Sequence, residues 1–330
     1  MLRLFAHAKY DFIGVRRYAY AATALFILPG LLLLLVRGLN YSIEFTGGTL
    51  IQVQSKRPVD VAAVRSGLDR EGIHGAEIQN FGAANEFVVR ARVAKPGTDA
   101  NDTQATANAV HEALATVLGT ENFTILRTEA VGPKVGGELR TKAFLAIFLS
   151  FFAVLAYLAF RFEWRFGLAA VIATAHDIVA TIGFIAMLHL EVSLTVVAAV
   201  LSMVGYSLND TIIIFDRVRE NLKKHKKESF EQILNRSINE TLPRSVLTHG
   251  TTLSSLLALA VFGGEVIRPF ALVMFFGVFT GTFSSIYIAS PVLMAIEKRW
   301  PGQLARGHLA PPAAASPPAS SPSRKTAPVG

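Results

Sequence analysis

The sequence predicts a polytopic α-helical membrane protein with six transmembrane helices and a folded α+β domain outside the bilayer, between helices 1 and 2. Three observations favour this fold class: six long apolar stretches, a low content of charge, and a segment of mixed helix and strand pattern after the first stretch. Apolar residue types make up 52% of the 330 residues and charged residues only 17%, against about 25% in a typical soluble protein. Much of such a chain faces lipid.

Composition also excludes several kinds of site. The chain has no cysteine, which rules out disulfide scaffolds, thiolate zinc or iron–sulfur sites, and cysteine nucleophiles. The formal net charge is +8. On a soluble domain this charge would suggest nucleic-acid binding, but in membrane proteins lysine and arginine concentrate in cytoplasmic loops. We therefore expect a lipid bilayer, and no nucleic acid, among the partners.

Six apolar stretches reach the ~17 residues that a helix needs to cross a ~30 Å hydrocarbon core. The first follows Arg16 and Arg17, as a signal peptide would, but it is too long for an h-region and ends without a small-residue cleavage site, so we expect a retained anchor. The stretches cover residues 18–36, 143–160, 166–188, 192–215, 245–262 and 270–293.

Positive charges in the short connections predict the orientation. Basic residues are concentrated before the first stretch, at 161–165, at 216–244 and after the last stretch. The connections at 189–191 and 263–268 hold one arginine between them. Both termini are therefore expected to be cytoplasmic, with the segment between the first two stretches outside.

This orientation divides the chain into five parts. The carboxy-terminal part is rich in alanine, proline and serine and has too little apolar mass to offset the entropy of ordering, so disorder is expected there. The predicted parts are a cytoplasmic amino terminus (1–17), transmembrane helix 1 (18–36), the outside domain (37–140), helices 2 to 6 (141–299) and a disordered cytoplasmic tail (300–330).

The outside domain shows a recognisable order of strands and helices. The expected elements are a strand over 42–45 and 49–53 interrupted at Gly47 and Gly48, a helix over 58–70, a hairpin of 76–80 and 86–93, a helix capped by Asn101 or Asp102 and ended by Gly119, and a strand over 122–131. This β-α-β-β-α-β order is that of a split βαβ, ferredoxin-like unit.

Polar residues in or at the start of the apolar stretches are the candidate functional residues: His176 and Asp177 in the third, Asn209 and Asp210 in the fourth, and Arg244 with His249 at the start of the fifth. A charged side chain at the centre of a spanning helix costs about 2.5–3.5 kcal/mol on insertion scales, so each needs a reason. Asp210 and Arg244 enter their helices from the same side and are expected to meet. A carboxylate that gains and loses a cationic neighbour responds to protons. A static ion pair and polar packing between helices are the alternative interpretations.

Several strings of the sequence fit one known family. They are Phe-Thr-Gly-Gly-Thr at 45–49, Val-Gly-Pro-Lys-Val-Gly-Gly-Glu-Leu at 131–139, Ala-His-Asp at 175–177, Gly-Tyr-Ser-Leu-Asn-Asp-Thr at 205–211, Asp-Arg-Val-Arg-Glu-Asn at 216–221, and Arg244 with Gly-Thr-Thr at 250–252. In combination they resemble the SecF branch of the SecD/SecF family of bacterial protein-export subunits, in the resistance-nodulation-division superfamily.

The resemblance implies a subunit of the inner membrane that pairs with SecD and uses the proton motive force to help draw unfolded polypeptides through the SecYEG channel, with YajC as a further partner. It implies no enzymatic activity and no cofactor. The coupling ion would be H+, with Na+ as the alternative. Proton transfer in the family is associated with the residues that correspond to Asp210 and Arg244, with Asp177, Asn209 and His176 as further candidates. The outside segment corresponds to a periplasmic domain.

Glycines lie where the outside domain joins helices 1 and 2: Gly47, Gly48, Gly132, Gly136 and Gly137. They are hinge candidates if that domain moves, although glycine equally serves tight turns.

Three other functions fit part of this pattern. Half of a proton-driven small-molecule or lipid exporter of the same superfamily would share the helices. An intramembrane aspartyl protease would use Asp177 and Asp210 to share a proton and activate water, although the sequence has no Gly-x-Gly-Asp string. A passive assembly factor would need neither Asp210 nor Arg244.

Overall fold

The computed structural model describes residues 9–82, 85–91 and 103–309. The helices are α1 (Arg16–Arg37), α2 (Ile43–Thr46), α3 (Val61–Arg70), α4 (Thr103–Leu118), α5 (Pro133–Arg161), α6 (Trp164–Met187), α7 (Leu194–Lys224), α8 (Phe230–Phe262), α9 (Gly264–Ser284), α10 (Ser290–Arg299) and α11 (Arg306–Leu309). A π-helical turn, Ser285–Ala289, joins α9 to α10. The strands are β1 (Asn40–Tyr41), β2 (Gly48–Ser55), β3 (Glu77–Asn80), β4 (Glu86–Ala91), β5 (Phe123–Val131) and β6 (Glu191–Val192).

Within these ranges, six helices are long and apolar enough to cross a membrane, which confirms the predicted number. They are α1, α5, α6, α7, α8 and the run of α9, the π turn and α10. Their ends differ from the apolar stretches: α5 begins at Pro133 rather than at 143, α7 continues to Lys224, and α8 begins at Phe230 after a capping box that starts at Ser229. The extra turns carry charged residues, which a search for apolar runs leaves out.

The four longer strands form an antiparallel sheet in the order β3-β4-β2-β5. This order places the first and third strands of the β-α-β-β-α-β series side by side in the centre of the sheet. The helices α3 and α4 pack on the sheet, and Val53, Val64, Leu68 and Leu114 are fully buried between them. We call strands β2 to β5 with α3 and α4 the sheet unit; it has a hydrophobic core of its own.

The prediction of a strand over 42–45 is wrong. Residues Ile43–Thr46 form one helical turn, in which the backbone amides of Phe45 and Thr46 each donate to the carbonyl oxygen of Ser42 at 3.1 Å. Ile43 and Phe45 are both buried in this helical turn, so their alternation does not require a strand. The cap predicted at residues 101–102 and the end of the predicted strand at 92–93 lie outside the described residues.

The sheet unit is attached to one end of the helical bundle. There, β1 pairs in parallel with β6, the strand between α6 and α7. The backbone amide of Leu194 donates to the carboxylate of Glu44 at 2.6 Å, and the guanidinium of Arg90 in β4 forms an ion pair with Glu191 in β6. These contacts hold the sheet unit against the connection between α6 and α7.

At the opposite end of the bundle, the prediction that the whole of 300–330 is disordered is wrong for its first ten residues. Helix α11 packs against the bundle, and the buried ring of His308 places Nδ1 2.7 Å from the carbonyl oxygen of Glu228 and Nε2 3.0 Å from that of Leu222. The backbone amide of Gly302 also donates to Glu297 at 2.7 Å, and Leu304, Ala305 and Leu309 pack on the core of the bundle, so polar and apolar contacts together anchor this segment. Residues 310–330 lie outside the described part.

Candidate functional site

Two glycines bring α9 close to α7 in the centre of the bundle. A Cβ atom on Gly281 would lie 2.7 Å from the Cβ of Ser207, and one on Gly277 would lie 2.8 Å from Met203. Only glycine permits so close an approach of the two helices. Small polar side chains of α6, α7 and α9 therefore meet without large side chains between them.

The side chain of Asp177, in α6, is fully buried at this meeting point. Its Oδ2 accepts hydrogen bonds from the hydroxyls of Ser207 in α7, at 2.5 Å, and Ser284 in α9, at 2.7 Å. Its Oδ1 lies 3.0 Å from Nδ1 of the neighbouring His176. Both oxygens of this carboxyl group have partners, so Asp177 joins three helices.

The polar contacts continue along α7 and α9 next to Asp177. The hydroxyls of Thr211 and Ser285 lie 2.8 Å apart, and both residues are buried. Ser285 is the first residue of the π-helical turn, and the hydroxyl of Ser290 donates to its carbonyl oxygen at 3.0 Å. Since π-helical turns are rare and are found frequently at functional sites, this turn marks the segment as specialised.

The side chain of Asp210, in α7, is also buried, and its bonding differs from that of Asp177. Its Oδ1 accepts a hydrogen bond of 2.6 Å from the hydroxyl of Ser245 in α8. Its Oδ2 is buried and has no hydrogen-bond partner within the described part of the chain. Asp210 is therefore bonded to the protein through one of its two oxygens in the described structure.

The expected ion pair between Asp210 and Arg244 is absent from the described residues. Arg244 is exposed, whereas Thr241, Ser245 and His249 are buried. Those three residues recur every fourth position and form the face of α8 that packs on the bundle, whereas Arg244 lies about 100° around the helix from Ser245. Arg244 still interacts electrostatically with Asp210, as does His249, but at a longer distance than a salt bridge.

A second polar atom without a partner lies on the facing helix. The Nδ1 atom of His249 is buried and makes no hydrogen bond to any described residue. The ring packs edge-on against Tyr206 at 5.5 Å between ring centres, and the hydroxyl of Tyr206 lies 2.7 Å from that of Thr252. An unsatisfied carboxylate oxygen and an unsatisfied imidazole nitrogen thus belong to the same α7–α8 contact.

The two carboxyl groups do not form a pair. Ser207, which binds Asp177, and Asp210 are three residues apart in α7, which is ~4.5 Å along the helix axis. No hydrogen bond joins the carboxyl groups of Asp177 and Asp210 in the part of the chain that is described; their oxygens contact Ser207, Ser284, His176 and Ser245 instead. This arrangement lacks the shared proton of an aspartyl protease.

The remaining predicted residues take separate positions. Asn209 is exposed on the side of α7 that faces away from the bundle. His176 lines an apolar cavity of about 240 Å³ between α1, α6 and α9, and its Nε2 has no partner among the described residues. The structure therefore brings His176 to Asp177 but leaves Asn209 apart from both carboxyl groups.

The predicted hinge glycines form a tight junction between α2 and α5. A Cβ on Gly136 would lie 2.9 Å from the backbone nitrogen of Gly47, and one on Gly47 would lie 2.7 Å from the Cα of Pro133. Gly132 is the N-cap of α5, so Gly136 and Gly137 lie inside this helix. A hinge role for these glycines and for Gly48 stays a prediction.

Three serines at the site, Ser207, Ser245 and Ser284, have roles that the sequence did not assign. Their hydroxyls supply all the hydroxyl donors to Asp177 and Asp210 in the described structure. Each is one of many serines and threonines in the apolar stretches. A partial signal exists, because Ser245 shares the helical spacing of Thr241 and His249, and Ser207 precedes Asp210 by three residues.

Comparison with known proteins assigns the chain to a family. Residues 110–299 match the model described as protein export membrane protein SecD/SecF, C-terminal, and residues 32–59 match the SecD/SecF GG motif. The chain is 59% identical over 305 residues to the protein translocase subunit SecF of Gemmatimonas aurantiaca, with 91% of each chain covered. It is 37% identical to SecF of Escherichia coli O157:H7, with 87% of this chain and 88% of that protein covered.

A solved structure supports the same assignment. The crystal structure of SecDF from Thermus thermophilus, described as a translocon-associated membrane protein, superposes with a TM-score of 0.78 at 38% identity over 88% of this chain. The chain spans 39% of the length of that SecDF chain. Sequence and structure therefore agree that the chain belongs to the SecD/SecF family of protein export membrane proteins, as a member of its SecF branch.

Proposed function

We propose that the chain is the SecF subunit of a proton-driven machine that works with SecD to assist the translocation of unfolded polypeptides through SecYEG. The observation that carries this proposal is Asp210, a buried carboxyl group that has one hydroxyl donor and, among the described residues, no partner for its second oxygen. A carboxyl group in such a place changes its interactions whenever it gains or loses a proton.

A change of protonation at Asp210 would act on the contact between α7 and α8. Ser245 donates to one oxygen, and His249 and Arg244 are the basic groups that interact with the carboxyl group electrostatically. Loss of the negative charge weakens these attractions, and its return restores them. Arg244 is exposed in this structure, so an ion pair with Asp210 would belong to another state of the cycle, reached by rotation of α8.

The available energy is sufficient for a conformational bias. A proton that crosses a potential of ~100 mV yields about 2.3 kcal/mol, and each 1.4 kcal/mol changes an equilibrium tenfold. The proposed output is movement of the sheet unit, which corresponds to a ferredoxin-like periplasmic domain. In this proposal both termini are in the cytoplasm and the helices span the bacterial inner membrane.

The surface of α7 and α8 supports SecD as a partner. Small and polar residues are exposed at helical spacing along α7 and along α8, and such residues in a membrane pack against other helices. The fused SecDF relative, which is 40% identical over 88% of this chain, supports the same partnership. The exposed residues are Ser202, Gly205 and Asn209 in α7, and Arg244, Thr248, Thr251 and Ser255 in α8. YajC is a further proposed partner.

Export driven by an ion gradient in inner-membrane vesicles tests this function. Vesicles that contain SecD and SecYEG would carry either the Asp210→Asn protein or a matched control, Asp216→Asn, which changes a partly exposed carboxyl group, ion-paired with Arg161, six residues further along α7. We expect Asp210→Asn to abolish the gradient-dependent part of export and the control to retain it. Replacing the proton gradient by a sodium gradient identifies the ion. Full gradient dependence with Asp210→Asn would contradict the proposal and favour a passive assembly factor.

A further inference from the structure

Helix α5 stands at the edge of the bundle and leaves an apolar cavity beside it. The cavity has a volume of about 110 Å³ and is lined by α5, α6 and α7 and, at the end of the bundle that carries the sheet unit, by Tyr41, Phe45 and Val192. Phe144 of α5, Ile178 and Ile182 of α6, and Val200 of α7 are among its lining residues. The two lining side chains with polar atoms are the phenol of Tyr41 and the guanidinium of Arg140.

Arg140 lies at the outer rim of this cavity, on the same face of α5 as the apolar lining. It precedes Phe144 by one helical turn and Ile147 by two, so the apolar lining extends ~10 Å down the helix axis from the guanidinium. Arg140 is exposed and forms no ion pair with any residue that the structure describes. The guanidinium of Arg140 therefore lies at one end of an apolar cavity, as a lipid headgroup lies at one end of its acyl chain.

The surroundings of Arg140 are cationic. Lys134, Glu138 and Lys142 are the other charged residues of the first three turns of α5, and all three are exposed. With Arg140 they give this end of α5 a net charge of +2, from three basic residues and one acidic residue. This net positive charge attracts an anionic phosphate group.

The packing of α5 leaves room for a lipid. Few residues of its apolar segment are buried inside the molecule, and Phe144, Phe148 and Phe152 are each about half exposed. In a bilayer, an acyl chain is the apolar group that fills a gap between helices, and a guanidinium binds phosphate oxygens through two parallel hydrogen bonds.

We propose that this cavity is a phospholipid site, in which one acyl chain lies between α5, α6 and α7 and the phosphate is bound by Arg140. The lipid completes the contact of α5 with the bundle. No cavity-lining residue bonds Asp177 or Asp210 in the described structure, so the site is distinct from the proposed proton site.

Native mass spectrometry of the full chain in detergent, titrated with phosphatidylglycerol or with diacylglycerol of the same acyl chains, tests the site. We expect one phosphatidylglycerol to bind with saturation and diacylglycerol to bind at least about tenfold more weakly, since a hydrogen bond to a charged group contributes about 1.5–3 kcal/mol. Equal binding of the two lipids would overturn the proposed phosphate contact.

Variants locate the site. Arg140→Gln is expected to weaken phosphatidylglycerol binding about tenfold, and Ala143→Phe, which fills the cavity, is expected to abolish the saturable binding. Lys142→Gln is the matched control, because Lys142 does not line the cavity, and it should bind as the unchanged protein does. If Ala143→Phe fails to fold, Arg140→Gln still tests the site, because it alters an exposed residue. Unchanged binding by Arg140→Gln would show annular lipid only and overturn the proposal.

Discussion

At the scale of single residues, the two buried carboxyl groups differ in how completely they are bonded. Asp177 has partners at both oxygens, whereas Asp210 has a partner at one. A fully bonded carboxyl group is typical of a structural element that joins helices, and a half-bonded one is free to acquire a new partner. The structure thus favours Asp210 as the residue that changes state.

The hydrogen bond from the hydroxyl of Ser245 to Asp210 is expected to contribute to gradient-dependent export. Ser245→Ala removes the hydrogen bond to a charged group, worth about 1.5–3 kcal/mol, and should lower gradient-dependent export about tenfold. Ser254→Ala, on the exposed side of the same helix, removes a hydroxyl that bonds only the carbonyl oxygen of Gly250 and should leave export unchanged. Equal rates for Ser245→Ala and the unchanged protein in the vesicle assay would remove Ser245 from the mechanism.

Asp177 and Asp210 could be identified as candidates from sequence, because a charge in an apolar stretch is costly wherever it lies. The partner of Asp210 could not. Arg244 and Ser245 are neighbours in the sequence, and which of them faces α7 depends on the rotation of α8 about its axis. That rotation is determined by the packing of Thr241 and His249, which only the folded structure shows.

At the scale of elements, the glycines at the junction of α2 and α5 give two opposite predictions. Gly136→Ala places a Cβ 2.9 Å from the backbone nitrogen of Gly47 and is expected to destabilise the protein by ~1–3 kcal/mol. Gly137→Ala meets no atom within 4 Å and is expected to stabilise α5 by about 0.5–1 kcal/mol, because alanine loses less entropy in a helix.

Thermal unfolding in detergent distinguishes these two variants. A lower midpoint for Gly136→Ala and an unchanged or higher midpoint for Gly137→Ala are the expected results. Equal loss of stability in both variants would contradict the close approach of the two backbones. Slower export by Gly137→Ala without loss of stability would support a hinge inside α5.

The contact between β4 and β6 gives a prediction for pH. Burial raises the pKa of Glu191, and the guanidinium of Arg90 opposes this effect without cancelling it. The raised pKa means that the attached position of the sheet unit binds a proton more tightly than a position with Glu191 in water. Protonation of Glu191 therefore favours attachment of the sheet unit at low pH, and this contribution to the free energy of attachment is lost as the pH rises through the raised pKa.

Hydrogen exchange of the β1 and β6 amides between about pH 5 and about pH 8 measures this effect, after correction for the intrinsic pH dependence of exchange. The unchanged protein should be better protected at the lower pH. Glu191→Gln should remove the dependence, and Glu77→Gln should keep it, because Glu77 also lies near Arg90 but is mostly exposed. Protection that increases with pH in the unchanged protein would show that the sign is wrong.

The number of spanning helices and the order of the longer strands follow from sequence periodicity, because long apolar runs and alternation carry strong signals. The ends of the helices and strands do not follow from sequence periodicity. The turn at Ile43–Thr46 has the alternation of a strand, and the first turns of α5 are too polar to count as part of a span. Both segments are determined by the junction of the sheet unit with the bundle, which no local pattern encodes.

At the scale of the whole molecule, helix α7 connects the attachment point of the sheet unit with the proposed proton site. Helix α7 begins beside β6, where the sheet unit is attached, and carries Ser207 and Asp210 further along its length. A rotation or shift of α7 that follows a change at Asp210 would therefore reach Glu191 and Arg90 through a continuous helix. This arrangement gives the proposed coupling a physical route.

The central claim is that Asp210 changes its protonation state when the machine operates. Infrared difference spectroscopy of the membrane-embedded complex with SecD, recorded as a proton gradient is applied, reports on carboxyl groups directly. We predict a carboxyl band that appears or disappears with the gradient, is absent from Asp210→Asn and is retained by Asp216→Asn. A spectrum in which Asp210 keeps one protonation state with and without the gradient would contradict the account.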